Sequence, residues 1–133
     1  MRIKMKKKIL VIEDDTDVRE NICEILLEEN YEVLEAKNGI EGFAHIKNNR
    51  PDLVLCDIAM PQLNGIELYK KIQEEIIFNK PFIFLSALSS RENFRKGMKL
   101  GVDDYLTKPF NRKDILDAVT TRLNRAQRSG RYD

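Results

Sequence analysis

The chain reads as an α/β domain, a doubly wound five-stranded parallel sheet with helices on both faces. Two observations predict this. Short, uninterrupted apolar runs mark strands buried on both sides, and each is followed by a stretch whose apolar residues recur at helical spacing. The alternation occurs five times, which is the pattern of parallel strands joined by helical crossovers.

Ile9-Leu10-Val11-Ile12 is the first strand. Val18, Ile22, Ile25 and Leu26 then recur with helical period, behind Asp15 or Thr16 as the capping residue. Val33, Leu34 and Ala36 suggest a second strand. Ile40, Phe43, Ala44 and Ile46 suggest a second helix, ended before Pro51. Leu53 to Cys56 is the third strand. Ile66 through Ile76 is helical, with Ile66, Tyr69, Ile72 and Ile76 on one side. Phe82 to Leu85 is the fourth strand. Arg91 to Leu100 is a helix that stops at Gly101, a residue suited to the left-handed turn that ends helices. Tyr105 to Thr107 is a short fifth strand, and Ile115, Leu116, Val119 and Leu123 form the inner stripe of a final helix. No internal repeat, low-complexity block or interior linker breaks the series. The domain is expected to span residues 1–125, with the polar "AQRSGRYD", residues 126–133, as a fraying tail.

Composition narrows the function classes. The 133 residues suit one domain with a sizeable core. A net charge of +1 supplies no global field that would point to nucleic acid or a membrane surface. No apolar run approaches membrane-spanning length, and the run behind the basic "MRIKMKKK" is too short for a secretory signal. A cytoplasmic location is expected. Cys23 and Cys56 make no disulfide framework and have the wrong spacing for a metal site, so both read as small buried residues. His45 reads as a solvated helix-face histidine. Arg122, Arg125, Arg128 and Arg131 recur every third residue. Without a recognition-helix motif or interleaved aromatics they read as a solvated helix end or connector rather than a nucleic-acid strip.

The chemistry lies at the strand exits. The first strand leaves into Glu13-Asp14-Asp15, the third into Asp57, the fourth into Ser86-Ala87 and the fifth into Lys108-Pro109. In a parallel sheet these exits share one edge, where such folds place their sites. Each motif alone has an ordinary reading: an acidic helix cap, a strand-end cap, a turn. Four together bring acids, a hydroxyl and a lysine to one place. Crowded carboxylates must hold protons or a cation. Oxygen ligands favour Mg²⁺, which keeps waters and shares phosphate oxygens. A carboxylate can act as nucleophile toward phosphorus, and phosphoryl transfer asks mainly for positioning and charge stabilisation. Asp57 is therefore the candidate phosphoacceptor, with Mg²⁺ and Lys108 neutralising the incoming group.

The motifs "ILVIEDD", "LVLCDIAMPQLNG", "FIFLSA" and "GVDDYLTKPF" resemble the receiver domain of bacterial two-component response regulators over about Lys8 to Leu123. The resemblance implies a flavodoxin-like strand order, 2-1-3-4-5. It implies Asp14 as a direct metal ligand, Glu13 acting largely through water, and Ala59 offering its backbone carbonyl to the same ion. Asp57 would accept the phosphoryl group, Ser86 would bond it by its hydroxyl, and Lys108 would pair with it. Tyr105 matches the switch aromatic, and Lys108-Pro109 would be a cis peptide. Partners implied are a sensor histidine kinase or phosphotransfer protein, a fused or separate output domain, and a phosphorylation-dependent homodimer. The surface of the fourth helix, fifth strand and fifth helix would respond. Two departures stand out: Glu13 replaces the commoner Asp, and Leu88 sits where many relatives carry a polar residue.

Three rivals fare worse. An aspartyl-nucleophile phosphatase or phosphotransferase would carry a second acid two residues after its nucleophile, where this chain has Ala59. A flavin carrier would need a hydroxyl- and glycine-rich phosphate loop in place of Glu13-Asp14-Asp15. A DNA-binding regulator would need an output domain, for which 133 residues are expected to leave no room.

Overall fold

Each apolar run lies in a strand because both of its faces are covered. The computed structural model describes residues 5–87 and 91–129. Its elements alternate along the chain: β1 (Lys8–Ile12), α1 (Thr16–Glu28), β2 (Glu32–Ala36), α2 (Gly39–Asn49), β3 (Leu53–Asp57), α3 (Gly65–Glu75), β4 (Phe82–Ala87), α4 (Arg91–Leu100), β5 (Asp104–Lys108) and α5 (Arg112–Ser129). The strands are all parallel, in the order β2-β1-β3-β4-β5. The predicted fold and order both hold.

Side chains alternate across the sheet with period two. Leu10, Ile12, Val54, Cys56, Phe82 and Phe84 face the layer that holds α2, α3 and the close approach of α4. Ile9, Val11, Leu53, Leu55, Ile83 and Leu85 face α1 and α5. The central strand β3 is buried along its whole length, Asp57 included.

Local chemistry sets the helix ends. Asp15 caps α1 by accepting from the Val18 amide at 3.1 Å. Asn64 and Glu67 form a reciprocal capping box at the start of α3, which frames the loop after β3. Gly101 follows α4 at φ +82°, the conformation foreseen for it. α2 ends instead on Arg50 at φ 44°, in the left-handed region, with Pro51 next.

Three details depart from the sequence reading. Ile40 is 59% exposed, because the buried face of α2 is set by Gly39, Gly42 and Ile46. The two glycines let the helix backbone approach Leu63 and Ile12, where a Cβ would fall 2.6 Å and 2.5 Å from the nearest atom. On α3 the innermost residue is Leu68, which the stripe of Ile66, Tyr69, Ile72 and Ile76 left out. The boundary drawn at residue 125 falls inside a helix: α5 continues to Ser129 and Ala126 is buried. Ala126 lies one turn beyond Leu123, so the inner stripe simply continues. Residues 130–133, with Arg131, lie outside the described residues, as does Leu88. Among the described residues no helix is long and apolar enough to cross a membrane.

Candidate functional site

Register brings the acids together. β1 pairs β3 with Ile12 opposite Cys56, so the next residues along, Glu13 and Asp57, leave the sheet side by side. Both are buried, while Asp14 is exposed at the rim. Carboxylate oxygens of Glu13, Asp14 and Asp57 all lie within 4.8 Å of one another. Loop amides aim these acids: the Asp15 amide donates to Glu13 Oε2 at 3.2 Å, and the Ala59 amide donates to Asp57 Oδ1 at 3.2 Å.

From the other half of the sheet, Lys108 at the end of β5 reaches across. Its Nζ donates to Glu13 Oε1 at 2.8 Å and to Asp57 Oδ2 at 3.4 Å. The Lys108–Pro109 peptide is cis, as the resemblance implied. Ser86 is buried near the end of β4, opposite Thr107, with Ala87 opposite Lys108. The hydroxyl and the lysine thus project from adjacent strands one rung apart. Every strand-exit residue singled out from the sequence lies at this edge.

Electrostatics show how crowded the site is. Burial raises the Glu13 pKa, and the adjoining Asp57 carboxylate raises it further against the pull of Lys108. Burial and Glu13 likewise raise Asp14. Burial works against the Lys108 ammonium, yet its bond to Glu13 and the charge of Asp57 outweigh that, so its pKa is raised. One lysine therefore does not satisfy three acids. The donor set is all oxygen, partly open to solvent, and short of positive charge, which fits a hard divalent cation such as Mg²⁺. A side chain on Gly65 would sit 2.6 Å from the Asp57 carbonyl oxygen, so only glycine lets α3 begin this close to the site.

Tyr105 lies on β5 with its ring edge-on to Phe94 of α4, centroids 4.7 Å apart. Its hydroxyl is buried and has no hydrogen-bond partner among the described residues. Cys56 is buried, its Sγ 3.3 Å from the Asp57 carbonyl, and burial pushes its thiol well up; the Cys23 thiol is pushed up to about 12 by burial. Burial thus disfavours the nucleophilic thiolate at both cysteines. His45 is half-buried on α2 and bonds Asn49 at 2.9 Å. Arg122 pairs with Asp104 at 3.4 Å. One neighbour of the site had no signal in the sequence: Arg19 of α1 donates to the backbone carbonyl of Glu13 at 2.8 Å.

The fold and this edge define a class, and comparison with known proteins fixes it. The family model described as the response regulator receiver domain matches residues 9–120. The chain belongs to that family, the receivers of two-component signalling. It is 36% identical to the transcriptional regulatory protein CrdR of Helicobacter pylori, over 91% of this chain and 55% of that one. It is also 36% identical to the chemotaxis protein CheY of Halobacterium salinarum, over 87% of this chain and 96% of that one. The crystal structure of a CheY-like receiver domain protein from Methanospirillum hungatei superposes with a TM-score of 0.87 at 32% identity, covering 94% and 99% of the two chains. The chain spans about half the length of the transcriptional regulators it matches and nearly the whole of the chemotaxis protein.

Proposed function

We propose that this receiver is a phosphoacceptor switch, in which Asp57 takes a phosphoryl group from a phosphohistidine on a partner kinase or phosphotransfer protein. The observation that carries the reading is the meeting of Glu13, Asp14, Asp57 and Lys108 at one sheet edge. Mg²⁺, held by Asp14, Asp57 and the Ala59 carbonyl with Glu13 behind them, would supply charge neutralisation for the phosphoryl oxygens.

The chain's own residues do the rest. An Asp57 oxygen attacks phosphorus as the donor's phosphorus–nitrogen bond breaks, and the freed imidazole leaves with the electron pair of that bond. Buried and fixed by the Ala59 amide, Asp57 meets the donor in one orientation. Lys108 exchanges its Glu13 contact for a phosphoryl oxygen. The Ser86 hydroxyl bonds another. Water later attacks phosphorus, releasing inorganic phosphate and restoring the carboxylate. Ser86 and Lys108 gain bonds only in the phosphorylated state, so they favour whichever arrangement of α4, β5 and α5 brings them closer to the phosphoryl group. Tyr105, on the strand beside Ser86's and packed edge-on against Phe94 of α4, is the residue through which that surface is assigned to respond. The output domain or effector follows as a separate or fused partner.

Intact mass after incubation with Mg²⁺ and acetyl phosphate tests the reading. One phosphoryl adduct is expected, absent in Asp57→Asn and absent with a chelator. An adduct that persists in Asp57→Asn overturns the assignment of the acceptor.

A further inference from the structure

The peptide bond between Glu13 and Asp14 joins the two acids at the end of β1. Its planarity ties the Glu13 carbonyl to the Asp14 amide, so turning one turns the other. On one side it is fixed by the sheet, where the Glu13 amide donates to the Ala36 carbonyl at 3.0 Å. On the other side α1 begins only at Thr16, its first backbone bond running from the Arg19 amide to the Asp15 carbonyl at 2.9 Å. The joining peptide belongs to neither ladder.

Arg19 bridges this gap. It lies on the first turn of α1, and its side chain is only 15% exposed. One terminal nitrogen donates to the Glu13 carbonyl at 2.8 Å, and Nε donates to Glu35 Oε1 on β2 at 3.2 Å. The planar guanidinium satisfies both acceptors from one rigid group, which a single ammonium does not do with the same geometry. Glu35 in turn sits beside Ala36, the residue that holds the Glu13 amide. One closed circuit therefore runs β1, Arg19, β2 and back.

We infer that Arg19 is a positioning residue for the cation site, clamping the Glu13–Asp14 peptide so that both carboxylates stay aimed at Asp57. This rests on the cation-dependent reading given above. Its role is geometric: the guanidinium holds a backbone carbonyl and touches none of the three carboxylates. Outer groups that orient metal ligands typically govern affinity by about tenfold to a hundredfold when removed.

The test is calorimetric titration of the unphosphorylated protein with MgCl₂, alongside thermal melting in chelator. Arg19→Ala is expected to weaken Mg²⁺ binding by about tenfold, with Arg19→Lys intermediate. Mg²⁺ affinity within about twofold of the unsubstituted chain in Arg19→Ala, whatever its melting temperature, overturns the inference, because a purely structural contact lowers stability without touching affinity. Should Arg19→Ala fail to fold, Arg19→Lys decides alone: unchanged affinity overturns the clamp, and a loss supports it. Failure of the unsubstituted chain to take up Mg²⁺ at all would instead strike the cation-dependent reading itself.

Discussion

Helices α3 and α4 lie on the same side of the sheet and are held in different ways. α3 buries Gly65, Ile66, Leu68 and Ile72 and starts with a capping box. In α4, among the described side chains, Gly97 is the only buried position, and Phe94 and Met98 are 45% and 50% exposed. α4 touches the core through half-buried Leu100 at its end and through a place where a side chain is missing: a Cβ on Gly97 would fall 2.9 Å from the Phe84 ring and 3.7 Å from the Tyr105 ring. Its outer face carries Arg91, Arg95, Lys96 and Lys99 against Glu92 alone. The helix that follows the Asp57 loop is thus anchored, and the helix that follows β4 rests lightly. A receiver needs both. Under the function proposed above, the acceptor must not move when it is modified, whereas the reporting surface must move for little free energy.

Substitutions can break this contrast. Leu68→Ala removes a fully buried side chain from α3 and is expected to cost about 2–5 kcal/mol in urea denaturation. A loss no larger than that of a surface change would show that α3 is not the anchor. Next come the two glycines. Gly65→Ala drives a methyl into the backbone of Asp57 and Ile58, which cannot rotate away, and should cost about 1–3 kcal/mol or more. Gly97→Ala meets an aromatic ring and gains about 1 kcal/mol of helix propensity, so its net loss should be smaller. Equal losses at the two sites would erase the distinction. At the low end, Met98→Ala should change stability by about 0.5 kcal/mol or less. Amide exchange sharpens the same point, with protection expected to be higher along α3 than along α4.

The acids add a pH dependence on the anchored side. Glu13 binds its proton more tightly folded than unfolded, because burial and Asp57 raise its pKa from 4.5. The folded state then carries more protons than the unfolded one as pH rises above that value, so stability falls until the raised folded pKa is passed. Denaturation midpoints in chelator are expected to drop across this window, and added Mg²⁺ should offset the drop by binding only the folded site. A flat profile in chelator would mean the carboxylates are not in conflict.

Most of the fold was legible because buried parallel strands write themselves as unbroken apolar runs, and because Asp15 and Gly101 carry local rules. The site was legible for a related reason. Parallel strands align their exits, so residues as far apart as Glu13 and Lys108 could be placed on one edge without a contact map. What stayed hidden was set by backbone. Ile40 is exposed because two glycines, not the isoleucine, face the core. Leu68 is buried because the inner face of α3 runs through Gly65, Leu68 and Ile72, at spacings of three and four residues. Arg19 binds a carbonyl, and a carbonyl has no letter in the sequence.

The pairing of strands gives the site a seam. Its acids hang from β1 and β3, its hydroxyl and lysine from β4 and β5, and the border runs through the single β3–β4 ladder. A tetrahedral oxyanion seated there would stitch the two sides at their open ends, as a rivet closes a hinge. Stiffening would then spread along whole strands, reaching β5 and Tyr105 without any side chain having to carry the message alone.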